Sequence, residues 1–230
     1  MSGRPLARLA QIAEDQWGLV TTRQAGQADV PWSSLARMAA DDRLERVASG
    51  IYRIRGAAAP DHLELRAAWL QQDPGRPAWQ RLGDPTVAVV SHTSAAALFG
   101  VGDLPSDVYE FTLPVRRQTR RPDVRLHRGA VAESDRHLLH GMPVTSAAKM
   151  IGDLLADSTD PSAVAHIARE VLRQGYDEPT IIAEHLAPYA SRFRLQPQNG
   201  RALLDYLLRL AGVVDTAEWL NMVYADEPVR

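Results

Sequence analysis

Apolar residues over positions 4–14 recur at Leu6, Leu9, Ala10, Ile12 and Ala13. This is near the 3.6-residue period and predicts a helix, ended by Asp15 to Gly18. Leu19-Val20-Thr21 reads as a short extended run. Thr22 is placed as the N-cap of a short helix over 23–28. Asp29-Val30-Pro31 is a turn, and Pro31 suits the first turn of a following helix over 33–40. There Leu35 and Met38, at i and i+3, face inward. Leu44 to Val47 reads as a strand, Ala48-Ser49-Gly50 as a tight turn, and Ile51 to Arg55 as the returning strand. Ile51 and Ile54 do not alternate cleanly, which leaves a bulge or a shared face for Tyr52 and Ile54 as alternatives.

Gly56 to Pro60 is the best linker in the chain. An amphipathic helix over 61–72 follows, then a loop rich in Pro and Gly over 73–84 and a buried strand over 86–90. Ser91 can cap a helix running to Leu98, closed by Gly100 and Gly102. Strands are expected over 109–115, 124–127 and 142–145. Helices are expected over 146–156, 161–174, 179–191, 201–211 and 216–224, with a frayed tail from Asp226 to Arg230. The fold class is thus α+β: a domain at 1–57, then a larger mixed α/β domain at 61–230 ending in helices.

The order helix, strand, helix, turn, helix, strand, turn, strand is that of a winged helix-turn-helix. Its third helix can enter a DNA major groove with its N-terminal residues foremost. With Leu35 and Met38 inward, Trp32, Ser33, Ser34 and Arg37 face out, and Arg can grip guanine bidentately. Thr22 and Arg23 stand at a helix N-terminus, where backbone amides favour a phosphate. Arg46, Ser49, Tyr52, Arg53 and Arg55 decorate the wing. Trp32 suits a packing staple as well as it suits a DNA contact.

Charge qualifies this picture. The 230 residues carry a formal net charge of −2, so any basic surface must come from distribution. Residues 1–60 hold eight arginines against six acids, only +2, so tight DNA binding calls for dimerisation or a well-fitted site. Residues 116–128 hold six arginines against one acid, +5. Arg116, Arg117, Arg120, Arg121, Arg125 and Arg128 make either a solvated hairpin loop or a second phosphate-binding patch.

The candidate chemistry is sparse. No cysteine is present, which excludes disulfides, a thiol nucleophile and a Cys-based zinc site. Ser146-Ala-Ala-Lys149 matches the S-x-x-K of serine acylases, but Lys149 is the one lysine, so the accompanying K-T-G is impossible. Ser146 or Thr145 reads better as a helix cap. Ser91 beside His92 also reads as a cap, since adjacent residues at a helix start face each other poorly. His137 and His140 lack a clear third ligand. No catalytic residue, metal, cofactor or glycine-rich phosphate loop is expected, and the chain is expected not to be an enzyme. No run of 18 apolar residues and no signal peptide is seen, so a cytoplasmic protein is expected. The apolar stripes of the last helices form a core or a dimer face: Ile167, Val171 and Leu172, then Ile181, Ile182 and Leu186, then Leu203, Leu204, Leu207, Leu208 and Leu210.

Three blocks in order resemble the AbiEi family, the antitoxins of type IV toxin–antitoxin systems. They are Gly18 to Ala25 with Trp32 to Met38 and Arg43 to Arg53, then Val90 to Gly100, then Val124 to Arg128 with Gly141 to Ala148 and Asp153-Leu154. The resemblance covers about residues 4–156; the last third matches only in being helical. It implies a winged helix followed by an antitoxin domain, autorepression through an inverted-repeat operator in the chain's own promoter, and a nucleotidyltransferase-like toxin as functional partner. A homodimer on double-stranded DNA fits such an operator. The alternatives are a solitary regulator and a protein-interaction module that neutralises a toxin directly. The turn at Asp29-Val30-Pro31 departs from the glycine usual there, which leaves the operator sequence open.

Overall fold

The computed structural model describes residues 3–105 and 107–224. The chain divides into two compact units, residues 1–88 and 89–230.

The N-terminal unit runs α1 (Gly3–Glu14), β1 (Leu19–Thr21), α2 (Thr22–Gln27), α3 (Trp32–Ala40), β2 (Leu44–Ala48), β3 (Ile51–Ile54), α4 (Leu63–Gln72) and α5 (Ala78–Arg81). Its antiparallel sheet has the order β1-β3-β2. The first six elements and their pairing are those expected of a winged helix. The register slips between Arg46 and Ala48, so the bulge falls on β2. Leu9, Val20, Ala25, Val30, Leu35, Met38, Leu44 and Tyr52 form one buried cluster, closed by Leu6, Ile12, Ala39 and Ile54.

The cap of α2 is Thr21, one residue earlier than the sequence suggests. Its side chain accepts from the Gln24 amide, while Gln24 Oε1 accepts from the Thr21 amide at 3.0 Å. Thr22 hydroxyl instead donates to Gly50 O at 3.2 Å. Behind the capping box, the side chains of Gln16 and Gln24 bond each other in both directions, at 2.9 and 3.0 Å. Gln16 Oε1 also accepts from the Ala78 amide, and Gln24 Nε2 donates to Arg76 O.

The expected boundary at Gly56 to Pro60 is not where the units part; the division falls after Ala88. Residues Leu65 to Leu70 of α4 are all buried, and the helix packs on β1, β2 and β3. Trp69 meets Trp17 edge-on at 5.8 Å, and its indole N–H donates to Ala88 O. The Arg81 guanidinium lies 3.6 Å over the Trp69 ring, and Arg66 lies 4.6 Å over Trp17. A helix buried all round cannot serve as the edge of a separate domain.

The second unit runs β4 (Val89–Val90), α6 (His92–Phe99), β5 (Tyr109–Leu113), β6 (Val124–Arg128), β7 (Arg136–Leu139), β8 (Met142–Thr145), α7 (Ala147–Ala156), α8 (Pro161–Arg173), α9 (Pro179–Leu186), α10 (Gly200–Leu210) and α11 (Thr216–Tyr224). The sheet order is β6-β5-β4-β8-β7, with β5–β6 and β4–β8 parallel and the other pairs antiparallel. The fold is therefore mixed α and β, with helices gathered at the C-terminal end. Ile167, Val171, Leu172, Ile182, Leu186, Leu203, Leu204, Leu207 and Leu208 are buried within this unit, the core option for those stripes, while Ile181 and Leu210 stay exposed. At the start of α10, a Cβ on Gly200 would lie 1.8 Å from Ala183 O, so only glycine lets α9 and α10 approach.

The sequence misses β7, and it merges α9 and the 3-10 stretch at 187–193 into a single helix. The buried strand over 86–90 keeps only Val89 and Val90 as ladder residues. The tail from Asp226 to Arg230 lies outside the described residues. No helix among the described residues is long and apolar enough to cross a membrane.

Leu35 is fully buried. Leu35→Ala is expected to cost about 2–5 kcal/mol in urea unfolding. Gln24→Ala strands the partners of a buried amide and is expected to cost about 1–3 kcal/mol. Gly200→Ala forces a backbone shift between α9 and α10 and is expected to lower stability by at least ~1 kcal/mol in the same assay.

Candidate functional site

On α3, at 100° per residue, Trp32, Ser33, Ala36, Arg37 and Ala40 share one face. The opposite side carries the buried Leu35 and Met38. Trp32 is 67% exposed, and Ser33 and Arg37 are exposed, while Ser34 is half-buried off that face. Thr22, Trp32, Arg46, Ser49 and Tyr52 line one groove of about 550 Å³ between α3 and the β2–β3 hairpin. Five of the sequence candidates are thus brought together. Arg23, next to Thr22, is exposed, and its side chain lies over Gly75.

Three wing candidates, Tyr52, Arg53 and Arg55, are placed otherwise. Tyr52 is 5% exposed and belongs to the core cluster, so only its edge reaches the groove. Arg53 forks onto Glu45 Oε2 at 2.6 and 2.9 Å and donates to Ala57 O, which holds it in the sheet. Of the remaining charges, Arg55 pairs with Asp42 and Arg8 with Asp29. Arg23, Arg37 and Arg46 form no ion pair among the described residues. The arginines of the segment outside ion pairs thus include one on α3, one at the start of α2 and one on the wing.

The arginine-rich segment does not close a hairpin. β5 and β6 are parallel, so residues 114–123 run back along the sheet as a crossover, leading into the edge strand β6. Arg116, Arg117, Arg120 and Arg128 are exposed. Arg121 is held by Asp123, which raises its pKa and lowers that of Asp123. Arg125 lies 3.4 Å from Glu110 and 3.6 Å from Asp157.

That last contact opens on a polar cluster that spacing along the sequence does not assemble. Glu110 on β5 is 3% exposed. Its Oε1 is 3.1 Å from His127 Nε2, and its Oε2 accepts from the Thr93 amide and hydroxyl. Burial alone would raise its pKa, but the bonds from His127 and Thr93 outweigh this and hold it down at about 2. The imidazoles of His92 and His127 stack at 3.6 Å and 12°. His92 Nδ1 is 2.9 Å from Ser91 Oγ, which in turn accepts from Thr112 Oγ1 at 2.9 Å. Ser91 thus stands at the N-cap of α6 without capping it through its side chain. The adjacent pair does meet, because His92 takes the left-handed backbone, with φ of 53°. Burial, then the neighbouring His127, lowers the His92 pKa against the pull of Asp153, Glu110 and Asp157. On α7, Lys149 pairs with Asp153, and Ser146 caps the helix by accepting from the Lys149 amide. His137 and His140 are exposed, on β7 and the turn after it.

Glu110 contributes stability above its ordinary pKa of 4.5 that is lost as pH falls toward about 2. Glu110→Gln is expected to flatten this acid limb when Tm is followed against pH.

No curated protein matches the chain. Residues 7–55, the run from α1 to β3, match the family model described as transcriptional regulator, AbiEi antitoxin.

Proposed function

We propose that the chain is a DNA-binding autorepressor and antitoxin of a type IV system that acts in the cytoplasm. In this reading it binds an inverted repeat in its own promoter as a homodimer and counters a nucleotidyltransferase-like toxin without a catalytic step of its own. The observation that carries the reading is the exposed face of α3, with Arg37 and Ser33 beside a groove lined by Thr22, Arg46 and Ser49. The family match over the same segment supports it. Arg37 is the candidate for a bidentate base contact, and Ser33 for a base edge or a phosphate oxygen. Thr22, Arg23, Arg46 and Ser49 are candidates for phosphate contacts. Arg116, Arg117, Arg120 and Arg128 are candidates for a second set on the other unit.

One observation favours a second reading. Trp32 is a large apolar side chain left two-thirds exposed at the start of α3. Such a residue can anchor a protein partner, here the toxin itself. Sequence-specific, salt-dependent DNA binding separates the two.

The test is a gel shift on the gene's own upstream region against unrelated DNA, across a salt series. Specific binding is expected, and Arg37→Ala is expected to weaken it by about 1–3 kcal/mol and relax its sequence preference. Replacing Arg116, Arg117 and Arg120 by Ala is expected to lower the slope of log K against log salt by about one for each phosphate that is no longer neutralised. Equal affinity for the two DNAs at every salt concentration would sink autorepression and favour the protein-docking reading.

A further inference from the structure

We propose that His92, His127 and Asp157 form a binding site for a divalent transition-metal ion of the zinc class. The three come from the start of α6, from β6 and from the residue after α7, and one ligand atom of each lies within 4.8 Å of the other two. Two imidazoles and a carboxylate are a donor set that suits first-row divalent ions, and three protein ligands leave coordination positions open for water or a ligand oxygen.

The surroundings support more than proximity. A metal-bound imidazole is held by a partner on its other ring nitrogen. His127 has that partner in the Glu110 carboxylate on Nε2, which leaves Nδ1 for an ion. His92 has it in Ser91 on Nδ1, which leaves Nε2, and Ser91 is itself fixed by Thr112. Asp153 supplies an independent observation. It lies four residues before Asp157 on the same side of α7. Its Oδ2 is buried and finds no hydrogen-bond partner among the described residues. Three carboxylates, Glu110, Asp153 and Asp157, thus gather against the cations Lys149 and Arg125, a net charge of −1. Once Arg125 turns away the net charge is −2, which a bound dication would balance.

Two adjustments accompany binding. The stacked rings hold their lone pairs in separate, nearly parallel planes, so one imidazole must tilt out of the stack for both to reach one ion. Arg125 must also release Asp157; its side chain is 61% exposed and can turn into solvent. The site is separate from the pair His137 and His140, and it does not depend on the DNA-binding reading.

The experiment uses the full chain, stripped with a chelator and titrated with Co²⁺, followed by visible absorption and by equilibrium dialysis. One Co²⁺ per chain with a ligand-field band is expected, displaced by Zn²⁺. Glu110→Gln, which replaces the carboxylate partner of His127 by a neutral amide and also weakens the bonds from Thr93, is expected to weaken binding about 10–100-fold. Asp157→Asn and His127→Gln are expected to weaken it further than that, and a His137→Ala, His140→Ala double variant is expected to leave it unchanged. Asp157 is exposed, so its variant tests the site even where His127→Gln disturbs folding. Absence of the band in the wild type, or an affinity that Asp157→Asn leaves unchanged, overturns the proposal.

Discussion

The N-terminal unit depends on two buried glutamines. Gln16 closes the turn after α1, and Gln24 sits in the first turn of α2. Each amide bonds the other, and together they satisfy the Thr21 amide, Leu19 O, Arg76 O and the Ala78 amide. Buried polar groups cost free energy unless every donor and acceptor is used, so the pair specifies a single arrangement of β1, α2 and the 76–78 segment. The position of α3 follows, because α2 packs against it and both close over the same apolar cluster. The hairpin then lies where Thr22 can reach Gly50, which brings the wing to the groove beside Trp32.

The second unit has a comparable centre in Glu110. A carboxylate buried in a central strand stays ionised only because His127 and the Thr93 amide and hydroxyl are all directed at it. Those bonds connect β5 to β6 and to the first turn of α6. They also bring His92 and His127 face to face. The parallel pairing of β5 with β6 turns the arginine-rich segment into a crossover along the sheet rather than a tip. Its exposed arginines therefore lie in the crossover and on an edge strand.

Much of the N-terminal segment is legible in the sequence. Its helices carry apolar residues on one face, its breaks fall at Asp and Gly, and a tight turn joins its last strands. Local chemistry of this kind acts within a few residues, so spacing alone predicts α1, α3 and the β2–β3 hairpin and, Ser34 apart, which residues of α3 point outward. Spacing could not tell that Arg53 would be spent on Glu45, since that pair forms only once β2 and β3 register with a bulge. Nor could it show that Tyr52 would fall into the core.

What the sequence by itself determined is the element order, the mixed α and β class, and the exposed face of α3, because each follows from contacts between near neighbours. What only the tertiary structure decided is where the first unit ends and which titratable groups meet. The end depends on Trp17, Arg66, Trp69 and Arg81 stacking across separate elements. His92, Glu110, His127, Asp153 and Asp157 are scattered over more than sixty positions and carry no local pattern. They meet because strand pairing and helix packing over a buried sheet bring them to one place, a consequence of long-range burial that no short window of sequence contains.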